Sequence, residues 1–469
     1  LHYPLRRQRQ MCIRDRMSTL PGLPMFGHGQ IEGFSEKYGM EYKRAYWDES
    51  VNTGLVQRHE REIFPLLRKR YLFSDVENFL LYDFYTSDGQ VNENVFAYGN
   101  RVNDERSLVF YNNKFNETSG WIHTSAAYLE NNQLVQKTLG EGLNIERRSD
   151  LFICFRDFIT GLEYIRSSEE IWNKGLYIEL EAFKYRIFVE FRQVQHTAYR
   201  PYYDLAVYLN GGGVPAIEAA MDEFIYQPIL NALQECINPG SLKWAWGADD
   251  KEVVKSFNDK FDQLVTTVCS FENLEKLTKE NIANIYNYYS TVKKMFCDKK
   301  GLITNIPKLS KSLSDEINKY FPEKDNERLE GLRIVLMLPF IEGLKRIYYQ
   351  DKTLAETFLE SRLYQKRIKQ TLISLGADEN IANQETQLIK ILTFLNNGLN
   401  IDKNNPSLPY FEELFNTKSV QRYLQMNEFN GIVYFNKEQF AHLLFWLAIK
   451  YVIHLTQSDK KKITSVKIN

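Results

Sequence analysis

The sequence predicts an α+β protein of several domains, on three observations. A short apolar stretch and a charged helical pattern occupy residues 17–76, β-branched and aromatic residues tending to a period of two dominate residues 77–198, and apolar stripes at helical spacing run through residues 199–469. At 469 residues, 43% hydrophobic and 25% charged, the chain has the size and composition of two to four globular domains.

Residues 1–16, LHYPLRRQRQMCIRDR, have no hydrophobic centre and carry five arginines, so they do not read as a secretory signal. RQRQMCIRDR resembles translated sequencing-adapter read-through, and Met17 follows it; the segment is read as an artefact, disordered, and the gene as cut at its 5′ end. From Leu20 to Phe26 an apolar stretch broken by Gly22 and Pro24 predicts a strand, followed by a loop. Leu55, Ile63, Leu66, Leu67 and Leu72, spread among the charges of RHEREIFPLLRKR, predict a helix kinked or restarted at Pro65.

Six strands are predicted next, at residues 79–85, 95–98, 108–111, 151–155, 176–180 and 185–191, with turns at Ser87-Asp88-Gly89, Asn112-Asn113, Gly140 to Gly142 and Lys174-Gly175. They imply an antiparallel sandwich-like domain or open barrel over residues 77–198, with a single helix inserted at Ser167 to Asn173. Helices predicted over Ala216 to Cys236, Lys251 to Phe271, Lys279 to Phe296, Leu354 to Leu375, Glu379 to Leu395 and Lys437 to His454 make residues 199–469 an all-α helical region without a fixed repeat. Ser314, Asp351 and Asn436 are the N-caps this pattern suggests.

Lys and Arg total 59 against 60 Asp and Glu, a formal net charge of -1, so no global field favours nucleic acid or an anionic membrane as partner. No run approaches the roughly 20 apolar residues that cross a bilayer. Five scattered cysteines, Cys12, Cys154, Cys236, Cys269 and Cys297, form no C-x-x-C pair and have no histidine at zinc-ligand spacing. They read as reduced, mostly buried thiols of a cytoplasmic protein, with no metal site and no cofactor.

The stretch Leu20-Pro21-Gly22-Leu23-Pro24-Met25-Phe26-Gly27-His28-Gly29-Gln30-Ile31-Glu32-Gly33 resembles the eighth-strand segment of alpha-amylase-type glycoside hydrolases, family 13. That segment reads G-x-P, four mostly apolar residues, then G-x-E; Gly22, Pro24 and Gly29 match, and the acid arrives late, as Glu32. HEREIFPLLRKR, VNENVFAYGNR, SLVFYNNKF and SGWIHTSAA also look like the distal part of long bacterial alpha-amylase homologues, over roughly residues 55–195. The resemblance implies that residues 17–76 are the last β/α unit of a TIM barrel, with the antiparallel domain following it, and that the parent acts on α-linked glucans or maltooligosaccharides by retaining hydrolysis or transglycosylation. That mechanism needs two carboxylates about 5 to 5.5 Å apart. The family places them, with a third Asp, after earlier barrel strands, so no catalytic residue is expected in this chain and it is read as an inactive fragment. Calcium, possible in the family, is not assignable to any residue here.

His28 and Gln30 fall where a barrel-rim loop faces the glucan and are the candidate substrate contacts, against the plainer reading that they cap the loop; Glu32 either replaces the family's acid or is a solvated loop carboxylate. Asp48-Glu49, Asp104-Glu105, Glu169-Glu170, Asp249-Asp250 and Glu412-Glu413 read as caps or solvated pairs rather than an acid/base couple. Tyr111 and Trp121 are candidates for a sugar-stacking platform on the β domain, against ordinary packing. Trp244-Ala245-Trp246-Gly247 reads as a turn, Asn210-Gly211-Gly212-Gly213 as a flexible connection, and Asp459 to Lys462 as a solvated end. The competing reading of the whole chain is a non-catalytic carbohydrate-binding or scaffolding protein.

Overall fold

Alternation of apolar residues over residues 77–198 is realised as an eight-stranded antiparallel sheet. The computed structural model describes residues 16–34, 47–296, 325–350, 357–395, 412 and 414–458. Cys12, Cys297, Ser314, Asp351, Glu413, nearly all of residues 1–16 and the lysine-rich end lie outside them. The chain divides into two units, Leu1–Phe224 and Ile225–Asn469.

In the first unit the strands are β1 Leu80–Tyr85, β2 Val95–Val102, β3 Glu105–Asn112, β4 Thr118–Ser125, β5 Tyr128–Glu130, β6 Gln133–Val135, β7 Leu151–Asp157, β8 Glu163–Ser167, β9 Leu176–Leu180 and β10 Tyr185–Gln195. β5 and β6 form a separate hairpin, and the others join in the order β8-β7-β10-β3-β2-β1-β4-β9. Of the sandwich or open barrel expected, the strands take the second form, a single sheet rather than two. The sheet curls into a half-barrel, because its residues alternate between two apolar clusters. Leu108 and Phe110 of β3 enter one cluster with Phe84, Ile122, Phe155 and Phe188, while Val109 and Tyr111 enter the other with Tyr98 and Ile187.

Each cluster is closed by helices. Thr53–Glu62, Phe64–Arg68 and Arg70–Phe73 are three pieces of one helical stretch, interrupted where Pro65 falls at the start of the second. Leu66, Leu72 and Phe73 seat it on the Tyr98 face. The other cluster takes Leu139 and Leu143 at the helix Leu139–Gly142 and Ile171 from the expected inserted helix, Ser168–Asn173. Gly140 to Gly142 is thus helical, not a turn: Thr138 and Glu141 form a capping box that starts it. Strands β4 and β8 escaped the pattern because TSGWIHTS and EYIRS are largely polar, one face of each being unburied.

The strand expected over Leu20 to Phe26 is absent. Residues 23–27 have no regular structure, and Leu23 and Met25 are 87% and 74% exposed. Apolar residues alone do not make a strand; an extended segment needs a neighbour's ladder for its N–H and C=O groups. Here Arg70 supplies the anchor instead, its guanidinium donating to the carbonyls of Ser18 at 2.9 Å, Leu20 at 2.5 Å and Gly22. The Gly22 N–H in turn donates to the Ser74 carbonyl at 3.2 Å.

In the second unit most of the expected helices form, but Leu354 to Leu375 is not one helix: its described part divides into Phe358–Ser361 and Tyr364–Ser374 at Leu363, whose φ is positive, and the helix Asp325–Tyr348 is not one of those expected. Its helices include Asp250–Glu272, Lys279–Phe296, Asp325–Tyr348, Tyr364–Ser374, Glu379–Phe394 and Lys437–Ser458, and Asn436 caps the last by accepting from the Glu438 and Gln439 N–H groups. Two further expectations need correction. Trp244 to Gly247 is not a turn but the end of the helix Pro239–Gly247, which Asn238 caps and Pro239 starts. The region is also not wholly helical, since β11 Asn427–Phe429 and β12 Ile432–Tyr434 form a hairpin at Asn430-Gly431, both with positive φ.

Three buried lysines satisfy helix-terminal carbonyls in this unit, where the last carbonyls lack intrahelical donors and carry partial negative charge. Lys293 Nζ donates to Trp246 and Ala248 at 3.3 and 3.2 Å, and Lys345 Nζ to Thr393 at 2.6 Å. Lys450 Nζ reaches the Leu392 and Leu395 carbonyls and pairs with Glu342 at 2.7 Å. Cys154, Cys236 and Cys269 are free and buried, and burial pushes the Cys154 and Cys236 thiols up to about 12.

His442 lies in the same unit, with Nδ1 2.6 Å from Tyr423 Oη and Nε2 accepting from the Trp446 indole N–H at 3.0 Å. A second proton on Nε2 would face that N–H, and burial lowers the imidazole from 6.5 to about 4. The folded state therefore refuses a proton that the unfolded chain accepts below pH 6.5. Stability is full above that pH and declines as pH falls toward 4, by roughly 3 kcal/mol in all. Urea titrations of the wild-type chain and of His442→Gln between pH 7.5 and 4 check this: the variant is expected to show a flatter pH profile.

Candidate functional site

The outward faces of three neighbouring strands place aromatic rings side by side. Tyr85 of β1 lies opposite Trp121 of β4, and Trp121 lies opposite Tyr177 of β9. Strand spacing of about 4.8 Å sets the interval of such a row. The Trp121 and Tyr177 rings are 5.2 Å apart at 56°, and Tyr177 is 39% exposed. Gly120 allows the close approach, since a Cβ there would stand 2.2 Å from the Tyr85 carbonyl oxygen.

One step along the same face, Ser119 lies opposite Glu179, and Tyr177 Oη donates to Glu179 at 3.2 Å. Both residues belong to the wall of a groove of about 750 Å³ at the mouth of the half-barrel. Its carboxylates are Glu117, Glu179, Glu181 and Asp157, its cations Lys184 and Arg186, and its hydroxyls Thr118, Ser119 and Thr160. Asp157 continues the inward series of Ile153 and Phe155 on β7, as Arg186 continues that of Phe188 on β10, which is why charged groups stand at the end of an apolar cluster. Asp157 is fully buried; its Oδ1 accepts from the Ile159 N–H at 3.0 Å, and Arg186 Nη1 lies 3.6 Å from its Oδ2.

A second charged cluster is structural. Glu163 accepts from Arg156 at 2.5 Å, from Arg192 at 2.9 Å and from the Ile217 N–H at 2.8 Å, so it caps the start of the helix Ile217–Ile237. Burial alone would raise its carboxyl, but the bonds from Arg192 and Ile217 and the charges of both arginines hold it below the usual range.

The residues singled out in the sequence fall elsewhere. His28 is exposed with its ring 6.0 Å from Phe34, Gln30 Oε1 accepts from the Gly27 N–H at 2.9 Å, and the Glu32 carbonyl accepts from the Asn52 N–H at 2.9 Å. All three sit in consecutive turns, and none lines the groove. Trp121 is on the outward row, whereas Tyr111 is 1% exposed and belongs to the core. Two of the adjacent carboxylate pairs have local work: Asp249 caps the helix Asp250–Glu272, and Glu105 accepts from Tyr71 Oη. Sequence reasoning missed Tyr85, Tyr177, Asp157 and Arg186, because strand register and curl bring them together. The only local signal was the outward position of Tyr177 and Glu179 within LYIEL. Among the described residues no three His, Cys, Asp or Glu side chains gather to hold a metal ion, and no helix is long and apolar enough to cross a membrane.

Gly120→Ala is expected to destabilise the first unit by about 2 kcal/mol or more, because its new methyl meets backbone rather than a movable side chain. Thermal melts check the loss.

No protein-family description matches the chain, and no curated protein resembles it in sequence. Among solved structures it is similar to an alpha-amylase from Geobacillus thermoleovorans complexed with acarbose, at 11% sequence identity and a TM-score of 0.26, over 39% of this chain and 33% of that one. The chain thus spans about a third of that protein's length. A likeness of this degree assigns no residue a role.

Proposed function

We propose that this chain is a non-catalytic, glucan-contacting portion of an alpha-amylase-type glycoside hydrolase. The observation that carries the proposal is the row Tyr85, Trp121 and Tyr177 running up to a groove rich in carboxylates and hydroxyls. Sugar rings present C–H faces that stack on aromatic faces, while their hydroxyls need acceptors and donors alongside, and small-ligand sites combine the two in this way. The phrases that resemble the family, Leu20 to Gly33 and the segments between residues 55 and 195, support α-linked glucan as the polymer. In this reading His28, Gln30 and Glu32 meet the glucan at the rim of the parent's catalytic domain, a role distinct from that of the sheet.

The full chain is expected to be retarded in native gels containing soluble starch or glycogen, and Trp121→Ala with Tyr177→Ala to lose at least a tenfold share of the affinity, on the order of 1.4 kcal/mol. The same preparation is expected to release no reducing sugar from starch or maltooligosaccharides. Migration unaffected by the polysaccharide would overturn the glucan reading, and sustained turnover would overturn the non-catalytic one.

A further inference from the structure

We infer that β12 is an interface for a second copy of this chain, which pairs with it antiparallel about a two-fold axis at Val433. The hairpin of β11 and β12 is exposed on both faces, with Phe429, Ile432, Val433 and Tyr434 each half or more open to solvent. Its base is held in place: Phe435 packs its ring against Phe415 and Phe440, and the Asn436 N–H donates to the Leu424 carbonyl at 2.8 Å. Among the described residues no third strand lies beside the two above it. A lone two-stranded hairpin is marginal in water, and the β12 edge, Ile432-Val433-Tyr434, carries neither the lysine, the proline nor the bulge that keeps other strands away.

Register and charge select the edge and its occupant. The loop Asn430-Gly431 has two residues, so Phe429 and Ile432 form the hydrogen-bonded pair beside it, and alternation turns the N–H and C=O groups of Glu428 and Val433 outward. Self-pairing of β11 would set Glu428 against Glu428, and like charges directly opposite destabilise a ladder. Self-pairing of β12 sets Val433 against Val433 and Ile432 against Tyr434, and an aromatic ring opposite a β-branched chain stabilises one. Because β12 supplies both sides of the contact, the pairing closes as a dimer with β11 outermost on each copy. At on the order of 100 Å² for each such side chain, Phe429 and Ile432 to Phe435 of two copies offer at most about 1,000 Å², the lower limit for a specific interface. The dimer is therefore reversible and concentration-dependent.

Sedimentation equilibrium on the full chain, from about 1 μM to about 1 mM, tests this. The wild-type chain is expected to pass from monomer to dimer and no further. Val433→Pro removes the outward N–H without breaking a bond inside the hairpin, and Val433→Lys sets like charges at the two-fold axis; each is expected to weaken the dimer about tenfold or more. Their melting temperatures are expected to match the wild type at a concentration where it is monomeric, and Val433→Lys provides the readout if Val433→Pro loosens the hairpin. Glu428→Lys, on the outer edge, is expected to leave dimerisation unchanged. Mixing Val433→Lys with Val433→Glu is expected to restore a dimer that neither forms alone, which a general loss of fold would not do. A chain monomeric throughout, self-association indifferent to the Val433 variants, or growth beyond the dimer overturns the inference. Each outcome is independent of whether starch retains the chain, since the hairpin and the aromatic row belong to different units.

Discussion

Strand β3 buries Leu108 and Phe110 on one side and Val109 and Tyr111 on the other, and a sheet apolar on both faces has to be covered twice. Water on either side would leave those side chains exposed, at a cost of roughly 1.5 to 3 kcal/mol for each large one. The helical stretch Thr53–Phe73 covers one face, and the sheet covers the other by curling over the short helices Leu139–Gly142 and Ser168–Asn173. The aromatic row, the groove and the placement of Asp157 all follow from that curl.

The groove lies where apolar alternation runs out. Along β7 the inward positions pass from Ile153 to Phe155 to Asp157, and along β10 back from Phe188 to Arg186, so the last inward layer at the mouth is charged. A buried carboxylate and a guanidinium stabilise one another there without forming a close pair, and the burial of Asp157 comes from its neighbours rather than from its own chemistry. On the outer face β4 and β9 carry Trp121 and Tyr177 where one face is left uncovered. The aromatic row thus lies at the β4–β9 edge, while the groove takes its buried charges from β7 and β10.

The helical unit solves a different problem. Helix ends that fall inside an apolar core leave carbonyls without donors, and Lys293, Lys345 and Lys450 send their ammonium groups to those carbonyls while their stems pack as apolar chains. His442 is held neutral by the same logic, between Tyr423 and Trp446. The three buried lysines of this unit are therefore structural.

Local pattern was enough for most elements. Period-two apolar residues located β1, β2, β3, β7, β9 and β10; helical stripes located Lys279–Phe296 to the residue; Pro65 and Asn436 marked a break and a cap by their own backbone chemistry. The sequence misled where local pattern lacked a tertiary partner: Leu20 to Phe26 is apolar enough for a strand but has no ladder to join, and Pro239 with Asn238 turned an apparent loop around Trp244 into a helix. Of the candidate site, composition offered Trp121 alone, as an aromatic residue of the β region whose own strand the pattern did not mark. Its neighbours Tyr85 and Tyr177 depend on register across three strands, and Asp157 and Arg186 depend on how far the sheet curls. Register and curvature are set by contacts between residues far apart in the chain, which is why only the tertiary structure decided where the site lies.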